Sequence, residues 1–143
     1  MMVEVVKFKA EHILSIRKQD HDAIELPSYN YEQYLKIENL KHSYSIVVDG
    51  IVMACVGIVE YWSNRGEAWA VIDRYAGPKM LSIVREMKLL FSIVDCDRIE
   101  AAVIHNFKQG HRLVKLLGFE LEASIMRKYG VTGFDYSLYA RVK

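Results

Sequence analysis

The chain is short of most of the residues that would mark a specialised architecture. Two cysteines occur in 143 residues, Cys55 and Cys96, and neither has a partner at metal-ligand spacing, which leaves no disulfide scaffold or zinc module to build. Two prolines and eight glycines are too few for a collagenous, low-complexity or linker-rich chain. An excess of one charge is missing as well: 19 Lys and Arg stand against 18 Asp and Glu, a formal net charge of +1. That balance gives no general electrostatic pull towards nucleic acid or an anionic membrane, so neither is expected as a partner. The longest apolar run, Ile51 to Val59, is about half of a membrane span. Met1 to Ala10 alternates charge with apolarity and carries no signal-peptide core. The expectation is a soluble protein of a reducing, cytoplasmic compartment.

What is present is an ordinary globular composition, 52% hydrophobic and 26% charged. A chain of this length buries about two-thirds of the surface its unfolded form exposes. No internal repeat or linker interrupts it, so one domain is expected over residues 1–143.

Alternation and helical spacing divide the chain into elements. Val3 to Phe8 reads as a β-branched first strand, and residues 10–18 as a helix with Ala10, Ile13, Leu14 and Arg17 at helical spacing. A second helix is expected over 27–42, starting near Pro27 and Ser28, with Tyr31, Tyr34, Leu35 and Glu38 on one face. In the plain reading these tyrosines pack on a sheet; in the sharper one Tyr29 or Tyr31 lines a substrate cleft. The strongest local signal is Asp49-Gly50 between the runs 44–48 and 51–60, the chemistry of a two-residue hairpin turn with positive φ. The second of those strands is apolar on both faces, which predicts a central position covered on both sides.

Further strands are expected at 67–73 and 98–105. The last two alternate the sets Phe119, Leu121, Ala123, Ile125 and Tyr136, Leu138, Ala140, Val142 with polar neighbours. An amphipathic helix begins at Pro78 and carries Met80, Val84, Met87, Phe91 and Val94 along one stripe. Another, over 107–117, turns Phe107, Gly110, Leu113, Val114 and Leu117 inward and ends at Gly118. The order is therefore β-α-α-β-β-β-α-β-α-β-β. Strand 67–73, helix 78–94 and strand 98–105 make a right-handed crossover between parallel neighbours. The fold class is α/β, a central mixed and mostly antiparallel sheet flanked by helices.

That order of elements resembles the GNAT superfamily of acetyl-CoA-dependent N-acyltransferases, and the match in motifs spans about residues 67–122. Members end their fifth strand on a polar residue, follow it with a short helix with small residues inward, and close on a Gly-Phe pair. Here the stretch is His105 to Glu122, with Gly110 in the small position and Gly118-Phe119 as the pair. Two positions depart from the pattern. The phosphate loop, usually Gln/Arg-x-x-Gly-x-Gly/Ala, reads Arg74-Tyr75-Ala76-Gly77-Pro78-Lys79, with Lys79 in place of the last glycine. Many members place a tyrosine four residues before the closing glycine as general acid; here that residue is Val114. In these departures the chain looks like the small GNAT-like proteins of tailed phages.

The resemblance implies acetyl-CoA as co-substrate, no metal, and a small-molecule or protein amine as acceptor; a homodimer is left open. Ligands of open α/β sheets sit at the carboxyl ends of parallel strands, which points to Val71, Ile72, Asp73 and Arg74 on one strand and to His105, Asn106 and Phe107 after the other. Helix-start amides from Ala76 to Met80 suit a pyrophosphate, with Gly77 allowing close approach and Arg74 and Lys79 adding charge. The plainer account makes Gly77-Pro78 a helix-start turn beside solvated cations. Candidate bases are Glu60, at the end of an apolar strand, and then Asp73; His105, closing its strand, could shuttle protons. His111, Arg112, Lys108 and Lys115 read as a cationic stripe. Activity competes with a second reading, a GNAT-like domain without catalysis that acts as a phage virion, assembly or host-interaction protein.

Overall fold

A computed structural model describes residues 1–25 and 30–143. Its strands are β1 (Val3–Lys7), β2 (His42–Val48), β3 (Ile51–Trp62), β4 (Arg65–Ile72), β5 (Arg98–Ile104), β6 (Glu120–Met126) and β7 (Tyr136–Val142). Its helices are α1 (Ala10–Ser15), α2 (Asp20–Glu25), α3 (Tyr31–Glu38), α4 (Met80–Ser92) and α5 (Lys108–Leu116), and a 3₁₀ turn at Gly77–Lys79 leads into α4. The strands form one mixed sheet in the order β1-β2-β3-β4-β5-β7-β6. β4 and β5 pair in parallel, as the crossover requires. β1 with β2, β5 with β7 and β6 with β7 are antiparallel.

The order of strands is the expected one, but the helices before β2 differ. Residues 20–25 form a helix of their own, with Asp20 and Asp22 in the first turn, where carboxylates suit the positive end of the dipole. α3 starts at Asn30, not near Pro27 and Ser28, which with Tyr29 lie outside the described residues. Asn30 Oδ1 accepts from the Gln33 amide at 2.9 Å and Gln33 Oε1 accepts from the Asn30 amide at 2.8 Å, a reciprocal cap that fixes the start. The helix then stops at Glu38 because His42 already belongs to β2. No residue of α3 is buried, and Tyr31 is 48% exposed, so the tyrosine face does not pack down as the plain reading expected.

By its internal contacts the chain divides into two units, Met1–Gly57 with Ala70–Ser92, and Ile58–Trp69 with Ile93–Lys143. In the first, the hairpin turn places Asp49 at φ 50° and Gly50 at φ 80°, the left-handed pair that the right-handed twist of the strands demands. Asp49 Oδ1 also accepts from the Met2 amide at 2.8 Å, which ties β1 to the turn. Met53 to Val56 are buried on both faces of β3. Cys55 lies among them with its thiol pushed up to about 12 by burial, against a weaker opposing hydrogen bond from Ser45. It packs as a small apolar residue and is no nucleophile. α4 buries Ile83, Met87 and Phe91. Met80 and Val84 are only half-buried. The tighter 3₁₀ turn ahead of the helix re-phases it relative to an α-helix begun at Pro78.

In the second unit α5 buries Gly110 and Val114 and closes on Gly118 at φ 90°, with Phe119 buried behind it. A Cβ on Gly110 would sit 2.7 Å from both Phe107 Cδ2 and Val103 Cγ1, so only glycine lets the helix lie this close to β5. Burial alternates along the first residues of β7 as expected, but not along β6. Of the apolar sets only Phe119 and Ala140 are buried. Ser137 and Tyr139 are buried, whereas Val142, Leu121 and Ile125 stand exposed. β6 is the sheet's edge, and its register shifts between Leu121 and Ala123 and again before Met126, which breaks the strict alternation.

Candidate functional site

Asp73 follows the carboxyl end of β4 in the first unit and is 1% exposed. Its Oδ2 accepts from the backbone amide and from Nε of Arg17, both at 3.0 Å, and its Oδ1 accepts from the Tyr75 amide at 2.9 Å. Burial alone would raise its pKa, but the Arg17 side-chain bond and the two backbone bonds hold it below the ordinary carboxylate value. A buried carboxylate holding three donors, with its pKa kept down, is a poor acceptor for a substrate proton. Asp73 is a clamp for the loop that follows, not the second-choice base the sequence pointed to.

The loop itself spends most of its amides. The Arg74 amide donates to Arg17 O at 3.0 Å, Ala76 to Asp73 O at 3.0 Å, Lys79 to Ala76 O at 2.8 Å, and Met80 to Gly77 O. The expected amide cradle from Ala76 to Met80 is therefore largely closed within the loop. Gly77 is the opening: a Cβ built on it meets nothing within 4 Å. Arg74 pairs with Asp20 at 3.4 Å, a loose and exposed contact. The Arg17 guanidinium stacks 4.7 Å from the Tyr75 ring centroid. Val71 and Ala76 are buried, Ile72 is half-buried, and Ile72 O accepts from Gln19 Nε2 at 3.3 Å.

In the second unit, His105 follows β5 and is half-buried, as is Phe107, while Asn106 is exposed. His105 Nδ1 lies 3.0 Å from Ser124 O and 3.1 Å from Ser137 Oγ. His111 is no part of a solvated cationic stripe: its Nε2 is 2.8 Å from His105 O and its Nδ1 is 2.7 Å from Tyr139 Oη. Lys108, Arg112 and Lys115 are exposed, as a helix face is expected to be. Glu60 is exposed on β3, two residues before that strand ends at Trp62.

Sequence reasoning missed a charged ladder on β4 and β5. Arg65 donates to Glu100 through Nε at 2.8 Å and Nη2 at 3.0 Å, and Arg98 Nε donates to the same carboxylate at 2.7 Å. Arg98 also makes a bidentate pair with Glu122 at 3.0 and 2.6 Å. Arg65's hydrogen bonds, and then Arg98's, outweigh burial and hold the Glu100 carboxyl down at about 2. The Arg65 guanidinium lies 4.9 Å from the Tyr61 ring and 5.1 Å from that of Trp62. The parallel register, Arg65 with Arg98 and Glu67 with Glu100, is the signal that would have found this ladder. It cannot be written down before the strands are aligned.

Among the described residues no group of His, Cys, Asp and Glu could hold a metal ion, and no helix is long and apolar enough to cross a membrane. No family model matches the chain, and no curated protein matches it in sequence. Solved structures do. Ard1 from Thermoplasma volcanium superposes at a TM-score of 0.78 and 13% identity, over 98% of this chain and 97% of its own. A GNAT-family acetyltransferase from Bacillus anthracis gives 0.71 and 16%, over 98% and 94%. The ribosomal-protein-S5-alanine acetyltransferase from Vibrio fischeri gives 0.69 and 18%, over 98% and 92%.

The chain has the GNAT fold. At these identities the likeness carries the architecture and not the chemistry. None of the three names is that of a phage protein, so the phage likeness finds no support among them. Two departures from the GNAT motifs can now be placed. Val114 is a buried packing residue on α5, and Lys79 closes the 3₁₀ turn ahead of α4.

Proposed function

We propose that the protein is an N-acetyltransferase that moves an acetyl group from acetyl-CoA to a small-molecule or protein amine by direct attack in a ternary complex. The observation that carries this reading is the end-to-end likeness in fold to solved acetyltransferases, such as the GNAT-family enzyme from Bacillus anthracis over 98% of the chain at a TM-score of 0.71. Acetyl-CoA supplies the activated acyl carbon. The chain must hold its anionic end and handle one proton.

The residues of the 74–79 loop fit an anion gripped by side chains better than one cradled by amides. Arg74 and Lys79 provide the charge and Gly77 the open backbone, since the amides of Ala76 and Met80 are already committed. Val71 and Ile72, which precede the loop on β4, are the proposed contacts for the rest of the co-substrate. Glu60 and His105 are the groups left to transfer the proton once Asp73 is taken up by Arg17.

Thermal unfolding with and without acetyl-CoA tests the reading. Ligand at a hundredfold excess over Kd adds about 2.7 kcal/mol of apparent stability, a rise in Tm on the order of 5–10 °C for a domain of this size. Arg74→Ala combined with Lys79→Ala should lose most of that rise while leaving the Tm of the ligand-free protein within a few degrees. No shift at millimolar acetyl-CoA, and no free thiol released in the presence of a panel of amines, would sink it.

A further inference from the structure

The second unit holds a chain of hydrogen-bonded polar groups that runs from two buried side chains of β7 to the half-buried His111 and His105. Tyr139 and Ser137 share a face of β7 and are 2% and 1% exposed. The hydroxyl of Tyr139 meets His111 Nδ1 at 2.7 Å, and His111 Nε2 meets His105 O at 2.8 Å. His105 Nδ1 meets Ser124 O at 3.0 Å and Ser137 Oγ at 3.1 Å, while Ser137 donates to the same Ser124 carbonyl at 2.6 Å. The rings of His105 and His111 meet edge to face, with centroids 6.5 Å apart.

Two carbonyl oxygens decide where the hydrogens are. A carbonyl only accepts, so His111 carries its hydrogen on Nε2 and His105 carries one on Nδ1. For neutral His111 this leaves a lone pair on Nδ1, and the Tyr139 hydroxyl donates to it. For neutral His105 it leaves the lone pair on Nε2. That nitrogen has no hydrogen-bond partner among the described residues, and it is not a buried atom. An imidazole whose Nδ1–H is held by an acceptor, with Nε2 bare and reachable, is set up to exchange a proton there.

We infer that His105 is the proton-transfer residue of the acetyl transfer, acting through Nε2, with its tautomer fixed by the Ser124 carbonyl and Ser137. His111 and Tyr139 are positioning residues that hold the end of β5 through the backbone carbonyl of His105. This rests on the acetyltransferase reading above. In the reaction, Nε2 takes the proton released as the amine nitrogen bonds to the acetyl carbon. It returns that proton to the sulfur as the C–S bond breaks, so His105 leaves the cycle neutral and the products are an amide and a free thiol. The role that many proteins of this fold give to the tyrosine replaced here by Val114 then falls to a residue on a different element.

Two readouts test the inference on the full chain. Long-range ¹H–¹⁵N correlation of the histidine side chains, with no ligand present, should show neutral His105 with Nδ1 protonated and Nε2 bare. The opposite tautomer would overturn the inference. With acetyl-CoA and an accepted amine, His105→Gln should lower kcat by about 100-fold or more and leave both KM for acetyl-CoA and the acetyl-CoA thermal shift near wild type. His111→Gln keeps an N–H for the carbonyl and should retain several-fold more kcat than His111→Ala. Tyr139→Phe should lower kcat with KM unchanged, in a protein whose Tm shows it folded. Wild-type kcat in His105→Gln would overturn the inference and leave the acetyltransferase reading standing. A wild-type chain that neither binds nor turns over acetyl-CoA would overturn both.

Discussion

Asp73 does its work by being unavailable. Its two oxygens accept three hydrogen bonds, two of them from Arg17, fifty-six residues away in sequence. Replacing it with alanine leaves the Arg17 and Tyr75 donors without their partner and should cost about 2–4 kcal/mol, measured by urea unfolding. Asp73→Asn should fall between that variant and wild type, with the shape of any pH–rate profile unchanged, because the carboxylate is a clamp and not the base. Its pKa lies below the ordinary value. It therefore contributes stability that is present above the usual carboxylate range and is lost as pH falls through the depressed folded value. From sequence, Asp73 was a carboxylate at a strand end, and nothing in its neighbours named Arg17 as the partner. His105 was legible as the residue that follows the end of β5. The groups that fix its tautomer, Ser124 and Ser137, come from two later strands and were not.

At the scale of elements, turn chemistry and capping were readable where they were local. The Asp49-Gly50 turn is the clearest case, because a two-residue link between twisted strands needs positive φ at both positions and the sequence offers the residues that accept it. Gly50→Ala keeps space around the new Cβ but holds it at φ +80°, so it should destabilise by about 1–2 kcal/mol. Asn at the same position should cost less than alanine, and paired thermal melts of the two variants check this. The alternation of β7 was legible in period and not in phase. Period two sorts side chains into two sets, but which set faces inward depends on the groups waiting there. Here His105 and His111 wait for Ser137 and Tyr139. The missed helix α2 has the same kind of cause: six residues are too few for a hydrophobic period to stand out.

Across the whole molecule, the acid limb of stability should report the charged ladder. Glu100 titrates at about 2 in the folded protein, below its ordinary 4.5. Its contribution is full above about pH 5 and is lost as pH falls from there through 2. Discounted for partial solvent screening, it amounts to about 2 kcal/mol. Glu100→Gln should lower stability at pH 7 by about that much and flatten the unfolding free energy between pH 5 and 2; an unchanged slope would rule the ladder out as its source. The sequence by itself determined the order of the strands, the parallel crossover through α4, the hairpin and the apolar central strand. Each of these is written in contiguous residues as periodicity, turn chemistry or length. Only the tertiary structure decided which alternating set is buried, that Asp73 is bound to Arg17, that Arg65 and Arg98 converge on Glu100, and that His105 keeps Nε2 bare. The physical reason is common to all four: a side chain's charge, tautomer and availability are set by partners distant in the chain, and folding brings them within 3 Å or so, a hydrogen-bond length.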